Sequence, residues 1–174
     1  MAGSRHRTLQ SPFGGDLIGP NPTDRAKAGT KPSLLVEAGG GPVAVVVAPA
    51  NRHDTKVLEE TLQAVVVERP IPSDEALQNL CLDKAYDNPT GWEAAVEYGY
   101  VPHIRRIGEE RRDEEDPKRH PARRWVVERT LAWLSKCRAI LVRYDKQASN
   151  YLALLKLACA LFWYRRWRRL VLLR

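Results

Sequence analysis

Asp83 and Glu128 are the residues through which this chain would do chemistry. Asp83 closes the short apolar run Leu80-Cys81-Leu82. Glu128 is the single acid in Arg124-Trp125-Val126-Val127-Glu128-Arg129-Thr130-Leu131-Ala132-Trp133-Leu134-Ser135-Lys136-Cys137-Arg138. Carboxylate oxygens are the ligands that magnesium and manganese prefer, with water and a substrate phosphate completing the shell. Two such ions ~3.5 to 4 Å apart can activate an attacking oxygen and stabilise the leaving one at phosphorus. Each acid also has a plain structural reading. Asp83 can pair with Lys84 or cap the next turn, and Glu128 can pair with Arg124 one helical turn earlier.

The elements around the two acids decide whether they can meet. Val127, Leu131 and Leu134 recur at helical spacing, with Trp125 and Ala132 widening the stripe, so 124–138 reads as a helix on a core, opened by Pro121. Glu128 falls at the edge of that stripe. Leu80 to Asp83 reads as a strand, Asn88-Pro89 as a helix start, Gly99 as its end and Tyr100 to Ile104 as a second strand. Trp92, Ala95 and Val96 form the apolar face of that helix. Strand, helix, strand calls for a right-handed parallel crossover, which puts Asp83 at the C-terminal end of a parallel strand, where open α/β sheets place their ligands.

Upstream, residues 1–29 carry abundant Gly, Pro, Ser, Thr and Asn without apolar periodicity and read as an extended arm. Ser33–Glu37 and Pro42–Ala48 form a hairpin around Gly39-Gly40-Gly41, the second run apolar enough for a central strand. Asp54 is placed to N-cap a helix through about Val67, with Val57, Leu58, Leu62 and Val65 inward, so His53-Asp54 fixes a loop rather than binding metal. Ser73-Asp74-Glu75 can cap a short helical turn. Residues 105–120 are polar and lie on the route of bound DNA. A last helix begins near Ser149, with Leu152, Leu155, Ala158, Cys159 and Phe162 inward.

The net charge of +7 and pI near 9.5 point to a polyanion, nucleic acid before membrane. Lys84, Arg129, Lys136 and Arg138 border the two acids and suit phosphates, while Arg165, Arg166, Arg168 and Arg169 either track DNA or solubilise the last helix. Trp125 and Trp133 suit core packing better than base stacking. Three scattered cysteines exclude a disulfide framework and a zinc site. Neither a signal peptide nor a spanning segment is present, so a cytoplasmic, nucleoid-associated protein is expected.

Gly19-Pro20-Asn21-Pro22-Thr23-Asp24-Arg25, Asn51-Arg52-His53-Asp54, Leu82-Asp83-Lys84-Ala85-Tyr86-Asp87, Arg124-Trp125-Val126-Val127-Glu128-Arg129-Thr130, Leu141-Val142-Arg143-Tyr144 and Asn150-Tyr151-Leu152-Ala153 together resemble the DDE transposases of bacterial insertion sequences, specifically the insertion-sequence-five group. The resemblance implies an α/β, ribonuclease H-like mixed sheet flanked by helices. It implies Asp83 and Glu128 as second and last acids of a triad binding Mg2+ or Mn2+. It also implies hydrolysis of a phosphodiester at the element's terminal repeats and strand transfer into target DNA. Arg124 keeps the family's arginine before the glutamate, and with Lys84, Arg129, Lys136 and Arg138 makes up the expected DNA contacts.

Two departures stand against full activity. Ala2-Gly3-Ser4 occupies the place of the family's Asp-Gly-Ser, and Ser135 that of its basic residue after the glutamate. Asp16 and Asp24 are nearby but lie in a turn-rich arm with no strand to fix them, so neither is taken as the first acid. The expectation is therefore a partial catalytic domain over 30–174 that lacks its first strand and first acid, either exposes the edge of its Ser33–Glu37 hairpin or recruits another segment to cover it, and is weakly active or inactive alone. An upstream-frame segment would supply the missing strand and acid, and a homodimer is a further candidate assembly. The alternatives are a noncatalytic basic DNA-binding protein, a decayed remnant, or a nuclease without strand transfer.

Overall fold

The computed structural model describes residues 2–6, 8–73, 76–104 and 124–172, with the backbone alone at 2–6 and 124. In chain order the elements are β1 (Ala2–His6), β2 (Leu9–Gln10), β3 (Gly19–Pro20), β4 (Ala28–Val36), β5 (Pro42–Pro49), α1 (Asp54–Gln63), β6 (Asn79–Leu82), a 3-10 turn (Lys84–Tyr86), α2 (Pro89–Glu97), β7 (Val101–Ile104), α3 (Arg124–Leu134), a second 3-10 turn (Arg138–Ile140) and α4 (Ala148–Leu172). The strands form one mixed sheet with the main order β5-β4-β1-β6-β7. β4 runs antiparallel to both β1 and β5, whereas β1, β6 and β7 are parallel.

The first correction to the sequence reading lies at the centre of this sheet. Gly3 faces Val36, His6 faces Ser33, Leu9 faces Thr30 and Gln10 faces Gly29, so β1 and β2 continue one another in a single register along β4. The strand expected to be missing is present, and the supposed arm supplies β1, β2 and β3. Its composition hid it because a strand flanked on both edges is held by main-chain hydrogen bonds, which any non-proline residue can make. Of the two fates expected for the hairpin edge, exposed or covered by another segment, the second holds, because β1 and β2 pair along β4.

β5, expected to be central, is instead an edge strand. Its continuous apolar run reflects burial on both faces, since α1 and α4 both pack on it. Alternation assigns the faces. Leu34 and Val36 join Val45, Val127, Tyr151 and Leu155 under α3 and α4, whereas Leu35 joins Leu58, Leu62, Leu80, Leu82 and Ala95 under α1 and α2.

The β4–β5 turn is tight because both α3 and α4 press on it. Gly40 has φ +92°, and a Cβ on Gly41 would overlap the Trp163 indole. α1 starts at its expected cap, so that the cap itself falls one residue earlier. His53 is the N-cap, without a side-chain cap bond, and Asp54 is the first helical residue. Asp54 is drawn instead to buried Lys31, whose ammonium also donates to the Arg52 carbonyl. α1 stops at Gln63 rather than Val67, because the chain then turns to let Val66 N–H donate to the Val43 carbonyl at 3.1 Å.

α2 follows its sequence signals. Asn88 Oδ1 accepts from Gly91 N–H at 3.0 Å, Pro89 holds the first turn and Gly99 ends the segment at φ +71°. Its buried face is Gly91, Ala94 and Ala95, whereas Trp92 and Val96 are exposed, because a small-residue face lets the helix approach the 84–86 turn closely. Trp125 and Ala132, expected to widen the α3 stripe, are exposed, and Thr130 takes a buried place instead. The turn at Ser73-Asp74-Glu75, the polar 105–120 segment, Pro121 and the Arg124 side chain fall outside the described residues.

Candidate active site and nucleic-acid interface

Asp83 sits immediately after β6, half-buried, with an extended backbone. Its Oδ1 accepts the Lys84 N–H at 2.7 Å, capping the turn that begins at Lys84. That capping role is the ordinary one foreseen for a strand-end aspartate. Leu80 and Leu82 face α1 and α2, so alternation turns Cys81, and with it Asp83, toward the α3 side of the sheet. Lys84 is exposed beside it.

Glu128 stands on α3, which packs over β1 and β4 on that same side. It is exposed rather than half-buried. The helix is pinned by its next two residues. Arg129 Nη2 donates to the Gly39 carbonyl at 2.7 Å, and buried Thr130 Oγ1 donates to the Gly40 carbonyl at 2.7 Å. The Arg129 guanidinium also lies 4.9 Å from the Trp125 ring centroid. Trp125 is 56% exposed, so the core role expected for it gives way to a surface shelf for that arginine. Trp133 does pack partly inward, edge-to-face with Phe162 at 5.1 Å.

The structure thus groups the candidate residues in two places. Glu128 and Arg129 stand at the β4–β5 turn, while Asp83 and Lys84 stand at the end of β6. Lys136 and Arg138, both exposed, follow the C-terminal end of α3. Ala2 lies across from Leu80, three residues before Asp83 along the sheet, about 10 Å at ordinary strand rise. Among the described residues no three His, Cys, Asp or Glu side chains form a group able to hold a metal ion. Two carboxylates on one side of the sheet are a partial donor set, and they do not by themselves make a two-metal site.

Sequence reasoning overlooked two carboxylate–arginine locks. Glu37 accepts from Gly39 N–H at 2.5 Å and Gly41 N–H at 2.8 Å, and from Arg166 Nη1 at 2.6 Å. Burial alone would raise its pKa; these three donors outweigh that and hold it below its ordinary value. Asp16 accepts the Ala148 N–H at 2.9 Å, capping α4 from a distant loop, and this bond with the Arg143 charge lowers its pKa despite some opposing desolvation. A glutamate two residues before a run of three glycines, and an arginine within a largely apolar run, were the available signals. Cys81, Cys137 and Cys159 form no disulfide, and burial, with a smaller effect from Cys137, pushes Cys159 up to about 11, which keeps it protonated and unreactive.

A family model described as the transposase DDE domain matches residues 6–163. The proposed transposase for insertion sequence element IS402 of Burkholderia cepacia is 33% identical over 160 residues, which cover 90% of this chain and 73% of that protein. The matched span holds both candidate acids, the Asp16–Arg143 lock and the whole sheet from β2 onward, while Arg166 of the Glu37 lock lies just past its end. The chain belongs to the transposase DDE-domain family.

Proposed function

We propose that this chain is the DNA-handling, ribonuclease H-like domain of an insertion-sequence transposase of the insertion-sequence-five group, cleaving DNA weakly or not at all alone. The observation that carries the reading is the sheet order β5-β4-β1-β6-β7, with an acid after β6 and another on the helix that covers β4 and β1. Transposase DDE domains are generally divalent-metal dependent. Here Asp83 and Glu128 are the acids of that chemistry, and Ala2 replaces the acid that would join them, so no cleavage step is assigned to this donor set. The DNA would be the element's terminal repeats and a target, held in the nucleoid by Lys84, Arg124, Arg129, Lys136 and Arg138. A partner, whether an upstream-frame segment or a second copy, would have to bring the missing carboxylate without bringing a strand, because β1 already fills the slot between β4 and β6.

The test is nicking of supercoiled plasmid by the full chain with Mg2+ or Mn2+, alongside Asp83→Ala and Glu128→Ala. DNA binding with nicking close to that of the two variants is expected. Vigorous metal-dependent nicking that Asp83→Ala abolishes would overturn the inactive part of the proposal. A noncatalytic DNA-binding protein is the second reading, favoured by the partial donor set. Under it, neither variant alters DNA affinity measured in magnesium, whereas a working transposase site makes affinity depend on both acids.

A further inference from the structure

α3, the C-terminal half of α4 and the β4–β5 turn enclose an open cleft of about 530 Å3, walled by Arg129, Arg165, Arg166 and Arg169 over Trp133 and Phe162. No acid lines it. Glu37 offsets one charge through Arg166, which among the described residues leaves the equivalent of three guanidinium groups without an acid beside them. The cations are held in place from behind: Arg129 by the Gly39 carbonyl and Trp125, Arg165 by the Trp133 ring at 5.5 Å, Arg166 by Glu37 and the Trp163 ring at 5.2 Å. Trp163 is itself anchored by donating to the Pro42 carbonyl at 2.8 Å.

Basic residues near a helix C-terminus can simply answer the helix dipole, but that effect fades within the last turn and leaves Arg129, on another helix, unexplained. Like charges gathered from two helices and oriented by rings and carbonyls repel one another unless an anion lies among them. We infer that this cleft seats the phosphodiester backbone of DNA, with Arg129, Arg165 and Arg169 as the phosphate ligands. Arg166 ties the seat to the β4–β5 turn. Guanidinium forks match phosphate oxygens, and a strand lying here passes Glu128, which precedes Arg129 on the same helix. The inference rests on the DNA-handling function proposed above and names where the backbone is held.

The experiment measures anisotropy of a fluorescein-labelled DNA duplex with the full chain between about 50 and 200 mM salt. The double variant Arg165→Gln with Arg169→Gln is expected to bind roughly tenfold more weakly at the low-salt end, with the slope of log affinity against log salt shallower by about 1.8. Lys56→Gln with Lys156→Gln removes equal charge elsewhere on the exposed surface and is expected to stay within about twofold. Arg165→Lys with Arg169→Lys should retain most of the slope. Circular dichroism checks folding; if the glutamine double variant loses helix, Arg169→Glu alone, at an exposed site, should still weaken binding severalfold. Equal losses from the two glutamine double variants, or no loss from Arg165→Gln with Arg169→Gln, would overturn the cleft while leaving the DNA-handling function standing. A wild-type chain that ignores the duplex but binds vesicles containing phosphatidylserine would overturn both.

Discussion

α4 is fastened at both ends by a carboxylate from the sheet side of the molecule, and the two fastenings are built differently. At its start, Asp16 is exposed and Arg143 is completely buried. The Arg143 guanidinium donates to the carbonyls of Asp145 at 2.9 Å, Lys146 at 3.0 Å and Leu17 at 3.5 Å. Toward its end, Glu37 and Arg166 are each about a third exposed, at the mouth of the arginine cleft. The first arginine therefore serves the fold, by answering main-chain carbonyls in the interior. The second stands where solvent or a ligand can compete for it. Arginine count alone does not separate these roles; the acceptor and the depth do.

The comparison breaks most sharply at Arg143. Arg143→Ala removes a donor from three carbonyls, of which those of Lys146 and Leu17 keep a second one, and empties a fully buried site beside Tyr151, so a loss of about 3 kcal/mol is expected from denaturant unfolding. Arg143→Lys should recover only part of it, since an ammonium cannot reproduce the fork. If the alanine variant unfolds like wild type, the buried lock is not structural. Next in size is Gly41→Ala, which drives a methyl into the Trp163 indole and should cost about 1 to 3 kcal/mol while widening the arginine cleft. Thr130→Val removes a buried hydroxyl donor from the Gly40 carbonyl and should cost about 1 kcal/mol, read from the same unfolding curves.

Smaller effects sharpen the contrast between the two locks. Glu37→Gln should cost less than about 1 kcal/mol, because the pair is partly solvated, yet it should tighten DNA binding at low salt by releasing Arg166. Unchanged affinity would separate the Glu37 lock from the cleft. Both carboxyls have folded pKa values below their ordinary 4.5 and 3.8. Their contributions are therefore present above the unfolded values and are lost as pH falls through the folded ones. Acid unfolding monitored below about pH 4.5 should move less steeply with pH in Glu37→Gln than in wild type. A parallel pH profile would show that Glu37 does not titrate differently on folding.

Much of the local structure was legible in the chain. Asn88, Pro89 and Gly99 bracket α2, three glycines mark the β4–β5 turn, and the apolar run before Asp83 marks a parallel strand, because caps, turns and alternation act over a few residues. Asp83 and Glu128 were legible for the same reason: one ends a strand and the other interrupts a basic helix. Their surroundings were less so. Trp125 fits the apolar stripe by spacing, but its exposure follows from how α3 rolls to bring Thr130 onto the Gly40 carbonyl.

What the sequence by itself determined is the family, the order of the elements from β4 onward and where the two candidate acids stand on them, all of which are written in short stretches read independently of one another. Tertiary structure alone decided that residues 2–10 form the centre of the sheet, that β5 lies at its edge, that Asp54 answers Lys31, and that Arg129 meets Arg165 and Arg169 around one cleft. Those are pairings between segments far apart in the chain. Main-chain hydrogen bonding between strands carries little side-chain signature, and a charge reveals its partner only once the fold has closed the distance.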